Sequence, residues 1–309
     1  MAPGVCARMR LAVRSFALLA GIVACSLQAA PAAAQARVYV QAFDQRTGEV
    51  VTDLQESEVV VREGGVIRPV LDVRPANVPT KLVVVIDNSS AAVRAFGRMQ
   101  EGLRSFFDRL PPNQEVSLLT LSPPRWVVQG AIDDEEIGVG LDGLQIGGRS
   151  FRLLDGLVDA TEWIAEDAGP HRPVIVLLTT TGRDQSGERN EKLDVLAERV
   201  VRQGITVHVV VMRARTRVSF PRRESIAQAV GRGLSRVTGG FYEALNLGAG
   251  VEQPMADVAA RIMSRNRELA QQHLVRFEPV EGGSGGRVRV DVTRFGIRFV
   301  VTADGKRRQ

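Results

Sequence analysis

The sequence predicts an α/β protein: a doubly wound, mostly parallel sheet, framed by a small β-module built from strands at both ends of the chain. Three observations lead there. Leu82-Val83-Val84-Val85-Ile86 is an uninterrupted aliphatic run, as a strand buried on both faces of a parallel sheet requires. From that run to Leu269, further apolar runs alternate with helical periodicity, an order that implies crossover connections. Before and after this region the pattern is short and alternating, cut by Gly-rich turns, which reads as antiparallel sheet.

Residues 1–36 read as an export signal. Arg8, Arg10 and Arg14 form a basic start, Ser15 to Ala24 is apolar but too short to span a bilayer, and Pro31-Ala32-Ala33-Ala34-Gln35-Ala36 closes the segment. Cleavage after Ala36 would leave Arg37 first in a periplasmic or secreted protein. A competing reading uses Ile22-Val23-Ala24-Cys25, which resembles a bacterial lipoprotein signal; Cys25 would then carry lipid and tether the protein to a membrane. Cys6 and Cys25 are the only cysteines, so either reading leaves the mature domain without a disulfide. It must hold together by packing, and 44 % hydrophobic with 24 % charged residues excludes disorder throughout. The formal charge of +5 falls to +2 without the three leader arginines, and no dense basic face marks a nucleic-acid partner.

Residues 37–78 are expected to hold three small strands, with Val38-Tyr39-Val40 alternating, a turn at Thr47-Gly48-Glu49 and Val59-Val60-Val61 running to Gly64-Gly65. The α/β domain is assigned to residues 80–272. After Ile86 the spacing of Val93, Phe96, Met99, Leu103, Phe106 and Leu110 predicts a helix that stops at Pro111-Pro112. Strands are expected over 116–121, 126–128, 174–178, 205–211 and 241–242, and helices over 153–164, 193–201, 225–237 and 251–269. Residues 273–309 return to alternation in Leu274 to Phe277, Val288 to Val292 and Ile297 to Val301. Because a small isolated sheet is marginal, these strands are expected to pack with the N-terminal ones.

A doubly wound sheet binds ligands beyond the carboxyl ends of its strands, where the winding reverses. The loop after the first buried strand reads Asp87-Asn88-Ser89-Ser90-Ala91. With Asp44 to Leu54 and Val59 to Gly64 before the domain, and Thr238-Gly239-Gly240 and Leu274 to Pro279 after it, the mature chain resembles the von Willebrand factor type A (VWA) family, in its bacterial exported subgroup. The resemblance implies a Rossmann-like fold and a divalent cation, usually Mg²⁺, held by oxygens from three loops with one position left for an acidic group on a partner. In the first loop Asp87 and Ser89 match an Asp-x-Ser-x-Ser motif, but Ala91 has no oxygen. In the second, Gly147-Gly148-Arg149-Ser150-Phe151 supplies Ser150. In the third, Thr180-Thr181-Gly182 puts Thr181 where the family has a carboxylate, and Asp184 would restore that charge if its loop folded inward.

A carboxylate and a few hydroxyls make a poor Mg²⁺ site, so weak or no binding is expected, and Asp87 to Ser90 reads equally as a cap on the following helix. Arg149, Arg183, Arg213, Arg215 and Arg217 follow loops or strands expected on the same edge, where guanidinium forks could grip an acidic group of a protein partner directly. Catalysis is not expected. No phosphate-cradling Gly motif follows Ile86, no Gly-x-Ser-x-Gly elbow is present, and His171, His208 and His273 are scattered. The expected function is therefore an exported interaction module with a degenerate cation site. Its alternatives are a Mg²⁺-dependent binder using Asp87 and Ser89, and a cell-envelope hydrolase using the strand-end cleft.

Overall fold

A computed structural model describes residues 36–112, 114–166, 169, 171–213, 224–246, 249–278 and 287–302. Residues 1–35, on which the expected export signal and Cys25 fall, and also Arg215 and Arg217 lie outside the described residues.

The central sheet is built on β6 (Thr80–Ile86), which is buried along its whole length. Its alternate residues feed two cores, as the period of a strand demands: Leu82, Val84 and Ile86 on one side, Val83 and Val85 on the other. From β6 the chain passes through α1 (Phe96–Phe107) to β7 (Glu115–Leu121), β8 (Pro124–Ala131) and α2 (Asp134–Asp142). It then runs through α3 (Leu153–Glu166), β9 (Arg172–Thr180), α4 (Arg189–Arg202), β10 (Thr206–Arg213), α5 (Ile226–Thr238), β11 (Tyr242–Asn246) and α6 (Glu252–Ala270). The strand order is β11-β10-β9-β6-β7-β8, with all neighbours parallel except β8, which runs antiparallel to β7. Numbered within this domain the order is 6-5-4-1-2-3, the doubly wound arrangement whose winding reverses between its first and fourth strands. Those are β6 and β9. Helices α1, α2 and α6 cover one face and α3, α4 and α5 the other.

Local chemistry explains the element ends. The Ser225 hydroxyl accepts the Gln228 amide while the Gln228 side chain accepts the Ser225 amide, and Gly239 in the left-handed region stops α5. Helix α2 was not visible in the sequence pattern. It is started by Asp133, which accepts the Glu135 amide, and by three acidic residues in its first turn. Gly140 lets it pack closely on β8, since a Cβ there would come within 2.2 Å of Val128 Cγ2.

The expectation of three N-terminal strands is corrected to five: β1 (Ala36–Asp44), β2 (Val50–Val51), β3 (Val59–Glu63), β4 (Val66–Arg68) and β5 (Val70–Pro75). The extra ones are a two-residue return onto β1, a short hairpin arm after Gly64-Gly65, and a partly exposed strand carrying Asp72 and Arg74. Such strands have too few buried positions to show an alternation. From the other end come β12 (His273–Phe277), β13 (Val288–Val292) and β14 (Ile297–Thr302). One sheet has the order β14-β1-β12-β5, with β2 also on β1, and a second has β13-β3-β4. Val38, Val40, Leu54, Val59, Val61, Val275, Phe277 and Val290 fill the space these sheets share.

Arg294, in the turn between β13 and β14, ties the chain ends together. Its Nε and Nη2 fork onto the Glu58 carboxylate at 2.7 and 2.6 Å, and its Nη1 reaches Asp53 at 2.7 Å. The hydrogen bonds from Arg294 hold both carboxyls below the usual range, and the Gln55 amide adds to the effect on Glu58. The unfolded chain therefore binds more protons than the folded one just below the ordinary carboxylate pKa of about 4. The contribution is complete above that value and is lost as the pH falls through the lowered folded values. Arg294→Gln should lower the melting temperature at pH 7, and the difference from the native chain should shrink towards pH 3 in a thermal-denaturation series.

Candidate functional site

The switch point between β6 and β9 places two loop starts side by side. Asp87 follows Ile86 directly, and its amide donates to the Leu178 carbonyl of β9 at 2.9 Å. The Asp87 side chain is fully buried. Its Oδ1 accepts the Ser89 amide at 2.8 Å, and its Oδ2 accepts both the amide of Thr180, at 3.2 Å, and the Thr180 hydroxyl. Each carboxylate oxygen is thus engaged, and the bonds to Thr180 tie the ends of the two strands together.

Ser89 is also fully buried, and its Oγ has no hydrogen-bond partner among the described residues. Ala91 packs where Gly182 passes, since a Cβ on Gly182 would lie 2.8 Å from both Ala91 Cβ and Phe151 Cε1. The first and third loops are therefore in van der Waals contact at the position lacking an oxygen.

The hydroxyl that meets Asp87 belongs to Thr180, not to Thr181. Sequence reasoning missed it because the family pattern directs attention one position later. The usable signal was the Thr-Thr pair at the end of a buried strand, where alternation sends neighbouring side chains in opposite directions. Thr181 is half-buried, with its amide on the Met212 carbonyl at 3.0 Å. Ser150 is half-buried too, and its carbonyl accepts the Ser122 hydroxyl at 2.6 Å.

Two expectations are corrected here. Asp87 to Ser90 do not cap α1, because a turn through residues 90–95 intervenes; the helix N-cap is Ala95, with no side-chain cap bond. Instead these residues stitch the loops: Asn88 Oδ1 accepts the Ser122 amide at 2.8 Å and Ser90 Oγ donates to the Arg149 carbonyl at 3.0 Å. Asp184 is drawn to the start of α3 rather than bonded to the Asp87 loop. Its Oδ1 accepts the amide of Leu153, the first residue of α3, at 2.9 Å, together with the amide and hydroxyl of Ser186. A carboxylate at a helix N-terminus is favoured by the dipole, so the α3 start claims it. Among the described residues, no three His, Cys, Asp or Glu side chains gather as a metal cluster.

Arg149 and Arg183 are exposed on this carboxyl edge, and Arg213 ends β10 half-buried. The Arg149 and Arg183 backbones belong to the site itself, because the carbonyl of the first accepts Ser90 and that of the second accepts the Phe151 amide at 3.4 Å. The histidines serve the main chain elsewhere. His208 Nδ1 accepts the Phe241 amide at 3.1 Å, and His273 Nε2 accepts the Leu54 amide at 3.3 Å.

No protein-family model matches the sequence, and no curated protein does. Solved structures similar to the chain include the VWA domain of SpRpn10, at a TM-score of 0.46 and 13 % identity over 58 % of this chain and 95 % of that one. A von Willebrand factor type A structure from Catenulispora acidiphila gives 0.44 and 12 % over 78 % and 51 % of the two chains. The manganese-loaded TRAP protein of Plasmodium vivax gives 0.45 and 10 % over 75 % and 82 %. At such values the α/β assignment rests on the strand order and pairing described above, which the chain's own hydrogen bonds establish.

Thr180→Val keeps the shape of a fully buried side chain and removes its hydroxyl from a buried carboxylate. A hydrogen bond to a charged group is worth about 1.5–3 kcal/mol. Urea denaturation of Thr180→Val should show a loss of that order, with an unchanged dependence on denaturant.

Proposed function

We propose that the chain is an exported VWA-like module that contacts a protein partner at the carboxyl edge of its central sheet, without a resident cation and without catalysing a reaction. The observation that carries this reading is the engagement of both Asp87 oxygens by Ser89 and Thr180. Mg²⁺ gives up its water reluctantly and needs a near-octahedral set of oxygens with compensating negative charge. Asp87 offers one such charge, Ala91 offers no oxygen, Thr181 offers no carboxylate, and Asp184 has its Oδ1 on the first amide of α3. The donor set does not fit the ion. In its absence the attraction for an acidic group falls to exposed Arg149 and Arg183 and to Arg213 beside them. Export rests on the leader pattern of residues 1–36, with lipid on Cys25 as the alternative; among the described residues no helix is long and apolar enough to cross a membrane.

One observation favours a metal-dependent second reading. The buried, unpartnered Ser89 Oγ sits two residues from Asp87, in the position where the family motif has a ligand.

Calorimetric titration of the chelator-treated protein with Mg²⁺ and Mn²⁺ separates the two. The metal-free reading expects no binding heat and a melting temperature indifferent to chelator. Saturable binding that Asp87→Ala abolishes, with the variant still folded, would establish the second reading instead.

A further inference from the structure

At the opposite edge of the parallel sheet, where β6, β9 and β10 begin, the framing sheet closes over a cavity of about 240 Å³. Its lining includes Arg37 and Tyr39 from β1, Arg74 from β5, Arg276 from β12, and His171 and Arg172 at the start of β9. Four guanidinium groups thus border a space of about eight waters' liquid volume.

Among the described residues, one carboxylate meets two of them. Arg74 and Arg276 share the carboxylate of Asp72, at 3.4 and 3.0 Å. Arg37 and Arg172 pair with no carboxylate among the described residues. Among the described residues Arg172 donates to two neutral acceptors, Thr80 Oγ1 at 3.1 Å and Asn266 Oδ1, and its Nε is buried with no hydrogen-bond partner there. Burial, reinforced by the Arg265 guanidinium nearby, pulls Arg172 down to about 10. The Arg37 guanidinium lies near the turn before β10, where Gly204 has a φ of +66° and a Cβ would come within 2.4 Å of Arg37 Nη2. The positive φ favours glycine at that turn, and the Arg37 guanidinium lies over it.

Arg172 is half-buried and meets no carboxylate among the described residues, and a guanidinium so placed is stabilised by an anion. We propose that this cavity binds a phosphoryl group, either as inorganic phosphate or as the phosphate end of a small organic monoester. A phosphate dianion presents three or four acceptor oxygens and two charges, so it takes forks from several arginines at once; a single carboxylate presents two oxygens and one charge. The volume admits a small molecule and excludes a polymer segment. The site lies at the other end of the sheet from Asp87 and stands whether or not a partner binds there.

The test is calorimetric titration of the full chain at low salt with inorganic phosphate, glycerol phosphate and acetate, each repeated on Arg37→Gln and Arg172→Lys. Both phosphates should bind at least about tenfold more tightly than acetate, and each substitution should weaken phosphate by about tenfold or more. Tighter binding of glycerol phosphate assigns the site to an ester; equal binding assigns it to the free ion. Arg37 is exposed, so Arg37→Gln should keep the native melting temperature in buffer and remains decisive if Arg172→Lys fails to fold. No phosphate heat at millimolar concentration, affinity for acetate equal to that for phosphate, or undiminished binding by folded Arg37→Gln would each overturn the proposal.

Discussion

A carboxylate taken fully out of water must be met by donors, and at Asp87 the donors come from two strands that are neighbours in space but 93 residues apart in sequence. This requirement organises the carboxyl edge. The Ser89 amide bends the first loop back onto Asp87, and Thr180 brings the end of β9 against it. Asn88 and Ser90 then fasten the loops around residues 122 and 149. Removing the Asp87 side chain would orphan two amides and a hydroxyl in one place, so the residue is structural here whatever else it does.

How far this was legible depended on how much of each element is buried. The run Leu82 to Ile86 announces β6 because both its faces are covered, and the apolar spacing from Phe96 to Phe106 announces α1 because one face meets the core. Helix α2 was invisible because its glycines depress helix propensity, yet Gly140 is what its contact with Val128 requires. β4 and β5 were invisible because their side chains are largely half-buried or exposed. At the site, Asp87, Ser89 and the loop of residues 147–151 could be found from the sequence. The role of Thr180 and the diversion of Asp184 to α3 could not, since both depend on how a loop turns after its strand ends.

The two ends of the central sheet differ in how they treat charge. At the carboxyl edge the buried carboxylate of Asp87 is satisfied by neutral donors, and Arg149 and Arg183 are exposed. At the amino edge four arginines line a cavity, two of them sharing the carboxylate of Asp72 and one, Arg172, meeting neutral acceptors. The framing strands create the second environment: β1, β5 and β12 each deliver an arginine that the α/β domain by itself would not have.

Strand β1 pairs on one side with β12 and on the other with β14, partners that lie more than 230 residues downstream. Contacts this distant in sequence close late, because the loop between them must be brought together before any pairing stabilises it. A chain emerging from its N-terminus therefore exposes β1 with its β14 edge unpaired, and with its other edge covered by β2 only at residues 42–43, until β12 and β14 arrive. Unpaired edges of this kind recruit strands from other molecules. The closing turn at Arg294, arriving last, is what removes that exposure, and a truncation of the final strand would leave β1 open along residues 39–44.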